Sequence, residues 1–394
     1  MEIENQYYLN TMIKANADID PLAIAILKRL KDAKHDSYLV GGCVRDLLVG
    51  IKPKDFDIAT NATPQEVKRK VPYSFIIGRR FKLIHARRGD KIFEIATYRR
   101  EATQSEIESN TMTDLPFTEE NFFGNLIEDS FRRDFTVNAL FYDPISAELI
   151  DHCNGLSDIK NKMIRMIGDP TLRIKEDPIR ILRAIRLSQK ISFSIEHELR
   201  NSIQNNISEL ERTVLSRRRE EWIKFFQLPS IDLTLIELFD LNVFNSVMPS
   251  LHELFLDEQK QNLFRSYIRR INYVGFDLHN PIENFASIVY SFLLTQYEHP
   301  LKINIQEISE NPRFQILCRD ELGIFKAEIM TIELSIQLLK VLRDPEYYLK
   351  KGDRKKSALV NNSHFDLALK LGLLSGEFDT NDFNFWMDQR NLFQ

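Results

Sequence analysis

The spacing of apolar residues changes character once along the 394-residue chain, near position 150, and this limits the folds open to it. Before that point short β-like runs alternate with helical ones; after Ser157 the spacing is helical nearly to the end. Ser37–Val40 reads as a strand ending at Gly41-Gly42, residues 44–49 as a short helix and residues 55–59 as a second strand. Thr63, Pro64 and Glu66 make a helix start with a capping box, and that helix stops near Pro72. Residues 81–86 and 92–98 read as strands about a Gly89-Asp90 turn, and residues 141–151 as a strand or hairpin. Residues 101–125 are polar and aperiodic, the mark of a functional or disordered loop. Residues 177–191, 215–226, 262–271, 285–294 and 329–342 carry helical periodicity. The expectation is an α+β chain: an N-terminal helical segment (1–34), a head with a mixed sheet and helices (35–155), a helical neck (156–226) and a helical body (227–394).

Composition narrows the function classes. Hydrophobic residues make up 43% and charged residues 28%, as in ordinary soluble proteins. No apolar run approaches the length of a membrane span, and the N-terminus has no basic-then-apolar signal pattern. Cys43, Cys153 and Cys318 are too few and too scattered for a disulfide framework or a zinc knuckle, so a reducing cytoplasm is expected. The net charge is −4, yet residues 158–190 hold nine Lys/Arg against four Asp/Glu. A locally basic stretch in an acidic chain suits a polyanion.

Asp55 and Asp57 flank Phe56. On a strand, residues two apart share a face, so the two carboxylates would project together and suit Mg²⁺ ions sharing oxygen ligands. Taken alone, the pair is better explained by solvated carboxylates at a strand end. Upstream, Gly41-Gly42 at a strand-to-helix turn lets backbone approach a phosphate, with Arg45 as an added charge. Glu94, among apolar residues 92–95, is either a third carboxylate near the metals or a solvent-facing residue of an amphipathic strand. Arg133 and Asp134 could bind phosphate and ribose, or form a surface ion pair. Asp177, Arg180, Arg183 and Arg186 recur every third residue, as a stripe on one helix. Residues 216–221, Ser-Arg-Arg-Arg-Glu-Glu, read as a neck-to-body Arg-x-x-Glu element that is more readily a solvated charged helix than a site of direct chemistry, and residues 350–356 as a basic run that either touches RNA phosphates or is simply a surface loop.

The combination Gly-Gly-x-Val-Arg-Asp, eight residues, then Asp-Phe-Asp-Ile resembles the head of the class II tRNA nucleotidyltransferase and bacterial poly(A) polymerase family, within the DNA polymerase β-like superfamily. Arg132-Arg133-Asp134-Phe135-Thr136 and Glu176-Asp177-Pro178-Ile179-Arg180 resemble two further motifs of that family. The resemblance covers roughly residues 37–225. It implies a nucleotidyltransferase head, metal binding by Asp55 and Asp57, triphosphate contacts at Gly42 and Arg45, nucleotide binding by Arg133, and an essential acidic role for Asp134. It further implies base selection by Asp177 and Arg180 and a nucleotide contact from Arg183. The implied cofactors are two Mg²⁺ ions, with Mn²⁺ as a substitute, and ATP is the implied substrate. The implied partner is an RNA 3′ end, with RNA-decay or RNA-chaperone proteins as further partners and no membrane.

Within the family, Ile77-Gly78-Arg79-Arg80-Phe81-Lys82-Leu83-Ile84-His85 resembles an element of bacterial poly(A) polymerases and favours AMP addition over CCA addition. The long basic tail of many such polymerases is missing after Arg390, which points to a weaker grip on RNA or a helper protein. A CCA-adding or A-adding tRNA nucleotidyltransferase is the alternative, followed by a non-catalytic RNA-binding protein. The eight histidines lack the paired spacing of a phosphoester hydrolase.

Overall fold

The computed structural model describes residues 8, 10–12, 16–78, 82–101, 122–297, 308 and 310–393. The chain divides into two compact units, residues 1–173 with 191–200, and residues 174–190 with 201–394.

The first unit is built on a seven-stranded mixed sheet. Its strands are β1 (Ser37–Val40), β2 (Asp57–Thr60), β3 (Ser74–Ile77), β4 (Leu83–Arg88), β5 (Lys91–Thr97), β6 (Leu140–Asp143) and β7 (Glu148–Asp151). Their spatial order is β3-β4-β5-β2-β1-β6-β7, with β2 and β5 parallel and the other neighbours antiparallel. Ile58, Ile84, Ala86, Phe93 and Ile95 are buried on one face. Helices Pro21–Asp32 and Pro64–Lys70 lie against these strands. The first starts at the Asp20 cap, and the second starts at the Thr63–Glu66 capping box expected from sequence. A two-stranded parallel pair, β8 (Met163–Ile164) with β9 (Ser194–Ile195), completes the unit.

Three readings of the sequence change. Asp55 precedes β2, which begins at Asp57. Helix Ile179–Ile191 begins after Asp177, so Asp177 stands at the break from helix Pro170–Glu176 and does not share the arginines' helical stripe. The element β3 is additional: it follows Tyr73, which turns the chain at a φ of 54°. Residues 79–81 and 102–121, which carry part of the 77–85 element and most of the polar loop, lie outside the described residues.

The second unit is helical. Helix Pro281–Gln296 is its centre, with every residue from Asn284 to Thr295 buried. Helices Glu258–Val274, Lys326–Leu342 and Phe365–Ser375 surround it. Among the described residues no helix of the chain is long and apolar enough to cross a membrane.

Candidate active site

Strand register brings one residue from each of the seven strands into a single cross-sheet row. It runs Ile150, Phe141, Val40, Asp57, Glu94, His85, Phe75. Asp57 and Glu94 stand one step before the paired Ile58 and Ile95 of the parallel strands. Paired residues point to the same face, so this row lies on one side of the sheet. Its first half is covered: Val40, Ala59, Tyr98 and Phe141 form a buried cluster against which Leu126 packs. From Asp57 onward it opens to solvent, with the Glu94 side chain 51% exposed.

Asp57 sits where the covered half meets the open half. Burial is the main cause that pushes its carboxyl up to about 6; the charges of Glu94 and Asp55 add to this, and Arg133 opposes it. The charges of Glu94 and Asp55 thus both reach Asp57, although Asp55 lies outside the strand. Beneath Asp57, burial and the Asp57 charge push the Cys43 thiol up to about 12, which keeps it an inert packing group.

A carboxyl raised first by burial and then by neighbouring carboxylate charges is a hard oxygen donor that fits a divalent cation, which would offset both. Among the described residues no three His, Cys, Asp or Glu side chains are grouped to hold an ion by themselves. A cation held here would have to complete its shell with water and substrate phosphates.

The Gly41-Gly42 turn flanks Asp57. Gly41 has φ 75° and ψ −130°, a backbone shape that side-chain-bearing residues avoid. A Cβ there would also meet the Arg133 guanidinium at 3.4 Å. Gly41 caps the seven-residue helix Gly42–Leu48, and Arg45 folds back from that helix toward Gly42. Arg45 is only 5% exposed. Its guanidinium donates to Asp46 at 2.6 and 2.9 Å and to Asn138 Oδ1. The Asn138 side-chain amide in turn donates to Asp134 Oδ1 at 3.2 Å, and that oxygen also accepts the Phe135 N–H at 2.9 Å. Arg45 and Asp134, read from sequence as separate ligands, are thus ends of one network joined by Asn138.

Arg133 is positioned from three sides. Asp129, 2% exposed, accepts from it at 2.8 Å and from Arg132 at 3.2 Å. The guanidinium lies 5.1 Å from the Phe141 ring centre. The Arg132 and Arg133 carbonyls accept from Arg173 at 2.8 and 3.1 Å. Behind this turn the chain is too close for any larger residue at Gly155, where a Cβ would lie 2.4 Å from the Thr136 carbonyl. Asp129, Asn138, Gly155 and Arg173 escaped the sequence reading. Only Asn138, adjoining the double-arginine motif, carried a local signal.

In the second unit, Asp177 receives two hydrogen bonds of 2.8 Å from Arg217. Arg180 donates to Glu176 at 3.0 Å. Arg186 donates to Glu221 at 2.6 Å, and Lys224 reaches the same carboxylate at 3.3 Å. Although burial raises the Glu221 pKa, the charges of Arg186, Lys224 and Arg183 outweigh it and hold the group below its ordinary value. Arg219 pairs with Glu328 at 2.6 Å beneath the Phe325 ring. The stretch 216–221 is therefore only in part a solvated face: Arg219 and Glu221 are buried at 7% and 5% exposure against partners far along the chain, while Ser216, Arg217 and Glu220 are exposed. The basic run near residue 350 places Lys351 over the Tyr347 ring at 3.8 Å.

The chain has clear relatives. A family profile described as "Poly A polymerase head domain" matches residues 37–165, and one described as "Probable RNA and SrmB- binding site of polymerase A" matches residues 192–255. Poly(A) polymerase I of Salmonella typhi is 34% identical over 297 residues, 74% of this chain and 63% of that protein. A CCA-adding enzyme of Lactobacillus helveticus is 37% identical over 54% of this chain and 52% of its own length. This chain thus matches less than two thirds of those relatives' lengths. The solved structure of a CCA-adding enzyme in an apo form is 25% identical, with a TM-score of 0.61, over 94% of this chain and 84% of that one. The mixed-sheet head followed by helices is the fold these proteins share. With its head domain on the sheet that carries Asp57, the chain belongs to the family that unites bacterial poly(A) polymerases and CCA-adding tRNA nucleotidyltransferases.

Proposed function

We propose that the chain adds AMP from ATP to RNA 3′ ends without a template. The observation that carries this reading is Asp57, set by strand register beside the Gly41 turn on one side and Glu94 on the other, with Arg133 against Gly41. Such a site offers negative oxygen donors for cations and, next to them, a fixed positive charge for phosphate. Asp55 and Asp57 hold Mg²⁺, or Mn²⁺ in its place, with Glu94 as the adjoining third carboxylate. When bound, the metal supplies an activated 3′-hydroxyl and neutralises charge on the departing pyrophosphate.

The chain's own residues supply position. Arg133, fixed by Asp129 and Phe141, sets a positive charge at the glycine turn. Gly42 gives the triphosphate close access to backbone, and Arg45, held by Asn138 and Asp46, keeps the turn in shape. Asp134 is the essential acid that anchors this network through Asn138. Asp177 and Arg180 select the base and Arg183 contacts the nucleotide. Catalysis by such a site is mainly alignment and charge stabilisation.

The preference for AMP rests on the poly(A) polymerase relatives, which match 74% of the chain against 54% for the CCA-adding relative. The CCA-adding reading keeps support from the solved structure that shares the fold over 94% of the chain. Extension of two primers with each NTP separately decides between them. Long ATP-only tails on unstructured oligo(A) are expected; ordered C, C, A addition confined to a tRNA lacking its 3′ end would replace that reading.

A further inference from the structure

The cross-sheet row does not end at the carboxylates. Past Glu94 it continues through His85 to Phe75 on β3, the edge strand. His85 Nε2 lies 3.5 Å from the Glu94 carboxylate. Phe75 is 58% exposed; Ile77 and Ile92, on the same face by strand alternation, are 45% and 52% exposed, and Tyr73, in the turn that leads into β3, is 78% exposed. Arg87, exposed, stands between Tyr73 and Ile92 in the adjoining row. No acidic residue other than Glu94 occurs on β3, β4 or β5. On the opposite face of these strands Ser74, Ile84, Ala86, Phe93, Ile95 and Thr97 are buried.

We infer that this face is a track for the single-stranded 3′ segment of the RNA primer, with Phe75 and Tyr73 as stacking platforms and Arg87 as a phosphate contact. The inference rests on the nucleotidyltransferase reading, because the track is continuous with the Asp57 site. Aromatic rings interleaved with a cation are what unpaired nucleotides recognise: every base has a face to stack, and the backbone supplies negative charge. Three inter-strand spacings of about 4.8 Å put Phe75 roughly 14 Å from Asp57. The terminal nucleotide at the carboxylates then leaves the preceding ones over His85 and Phe75. Tyr73 and Phe75 cover no core, so their exposure has no packing purpose.

The test compares the full-length protein with its Phe75→Ala, Tyr73→Ala and Phe75→Trp variants. Binding of fluorescent oligo(A) without nucleotide is measured alongside the KM for ATP and for primer. Each alanine variant should weaken oligo(A) binding at least about fivefold and raise the primer KM, with the KM for ATP and the melting temperature unchanged. In the Trp variant, emission at position 75 should be quenched by oligo(A); the native Trp222 and Trp386 are fully buried and stay silent to a soluble quencher. Unaltered oligo(A) affinity in both alanine variants, with Trp emission indifferent to RNA, overturns the track and leaves the face to a protein partner. A wild-type protein that binds oligo(A) through Phe75 yet extends no primer would instead overturn the catalytic reading and spare the track.

Discussion

Arg217 holds both carboxylate oxygens of Asp177, each through a hydrogen bond of 2.8 Å. The Asp177 side chain is 23% exposed and that of Arg217 is 49% exposed, so the pair stands at a surface where an ion pair contributes little stability. Its effect is to fix the orientation of Asp177. Arg217→Ala should therefore change the unfolding free energy by no more than about 1 kcal/mol, while the preference for ATP over CTP falls. Competition of the two nucleotides in primer extension, beside a denaturant titration, measures both.

A buried bridge gives the opposite balance. Asn138 links Arg45 to Asp134, and both of those residues are at least nine-tenths buried. Asn138→Ala removes a partner from each, and a buried polar group left short of a partner costs about 1–3 kcal/mol. Urea unfolding should show a loss in that range. The KM for ATP should rise with it, since Arg45 supports the Gly42 turn.

Arg186 and Glu221 supply a prediction with a pH signature. Glu221 is 5% exposed, and Arg186→Ala leaves its charge with Lys224 as the nearest remaining partner. Breaking a buried pair costs about 3 kcal/mol. The folded-state pKa of Glu221 is depressed, so the stabilisation is present above its ordinary value of 4.5 and is lost as the pH falls through the folded-state value. Wild type and Arg186→Ala should differ widely in melting temperature at pH 7 and converge in acid below pH 4.5.

The sequence made local structure readable where neighbouring residues determine it. The Thr63–Glu66 capping box, the Gly41 turn and the Gly89-Asp90 turn occur in the folded chain as read. The α+β organisation was legible for the same reason, because apolar period reports the burial of one face. Long-range pairing was not. β3 carries Phe75 and Ile77 on its exposed side, so it lacks the polar alternation that marks a half-buried strand. Arg217, Arg219 and Glu221 looked solvated because Asp177, Glu328 and Arg186, with which they pair, are 35 to 109 residues away. Glu94 could be read either way until the β2–β5 register put it beside Asp57.

We propose Asp57 as the pivot of a metal-dependent nucleotidyl transfer. Burial and the adjoining Glu94 and Asp55 charges raise its pKa, so the ionised carboxylate is a burden on the metal-free fold at neutral pH. The most direct measurement is Asp57→Asn, assayed for ATP-dependent extension of oligo(A) with Mg²⁺ and for melting temperature in chelator. Extension should vanish while the metal-free melting temperature holds or rises; extension at the wild-type rate by a folded Asp57→Asn protein would contradict the account.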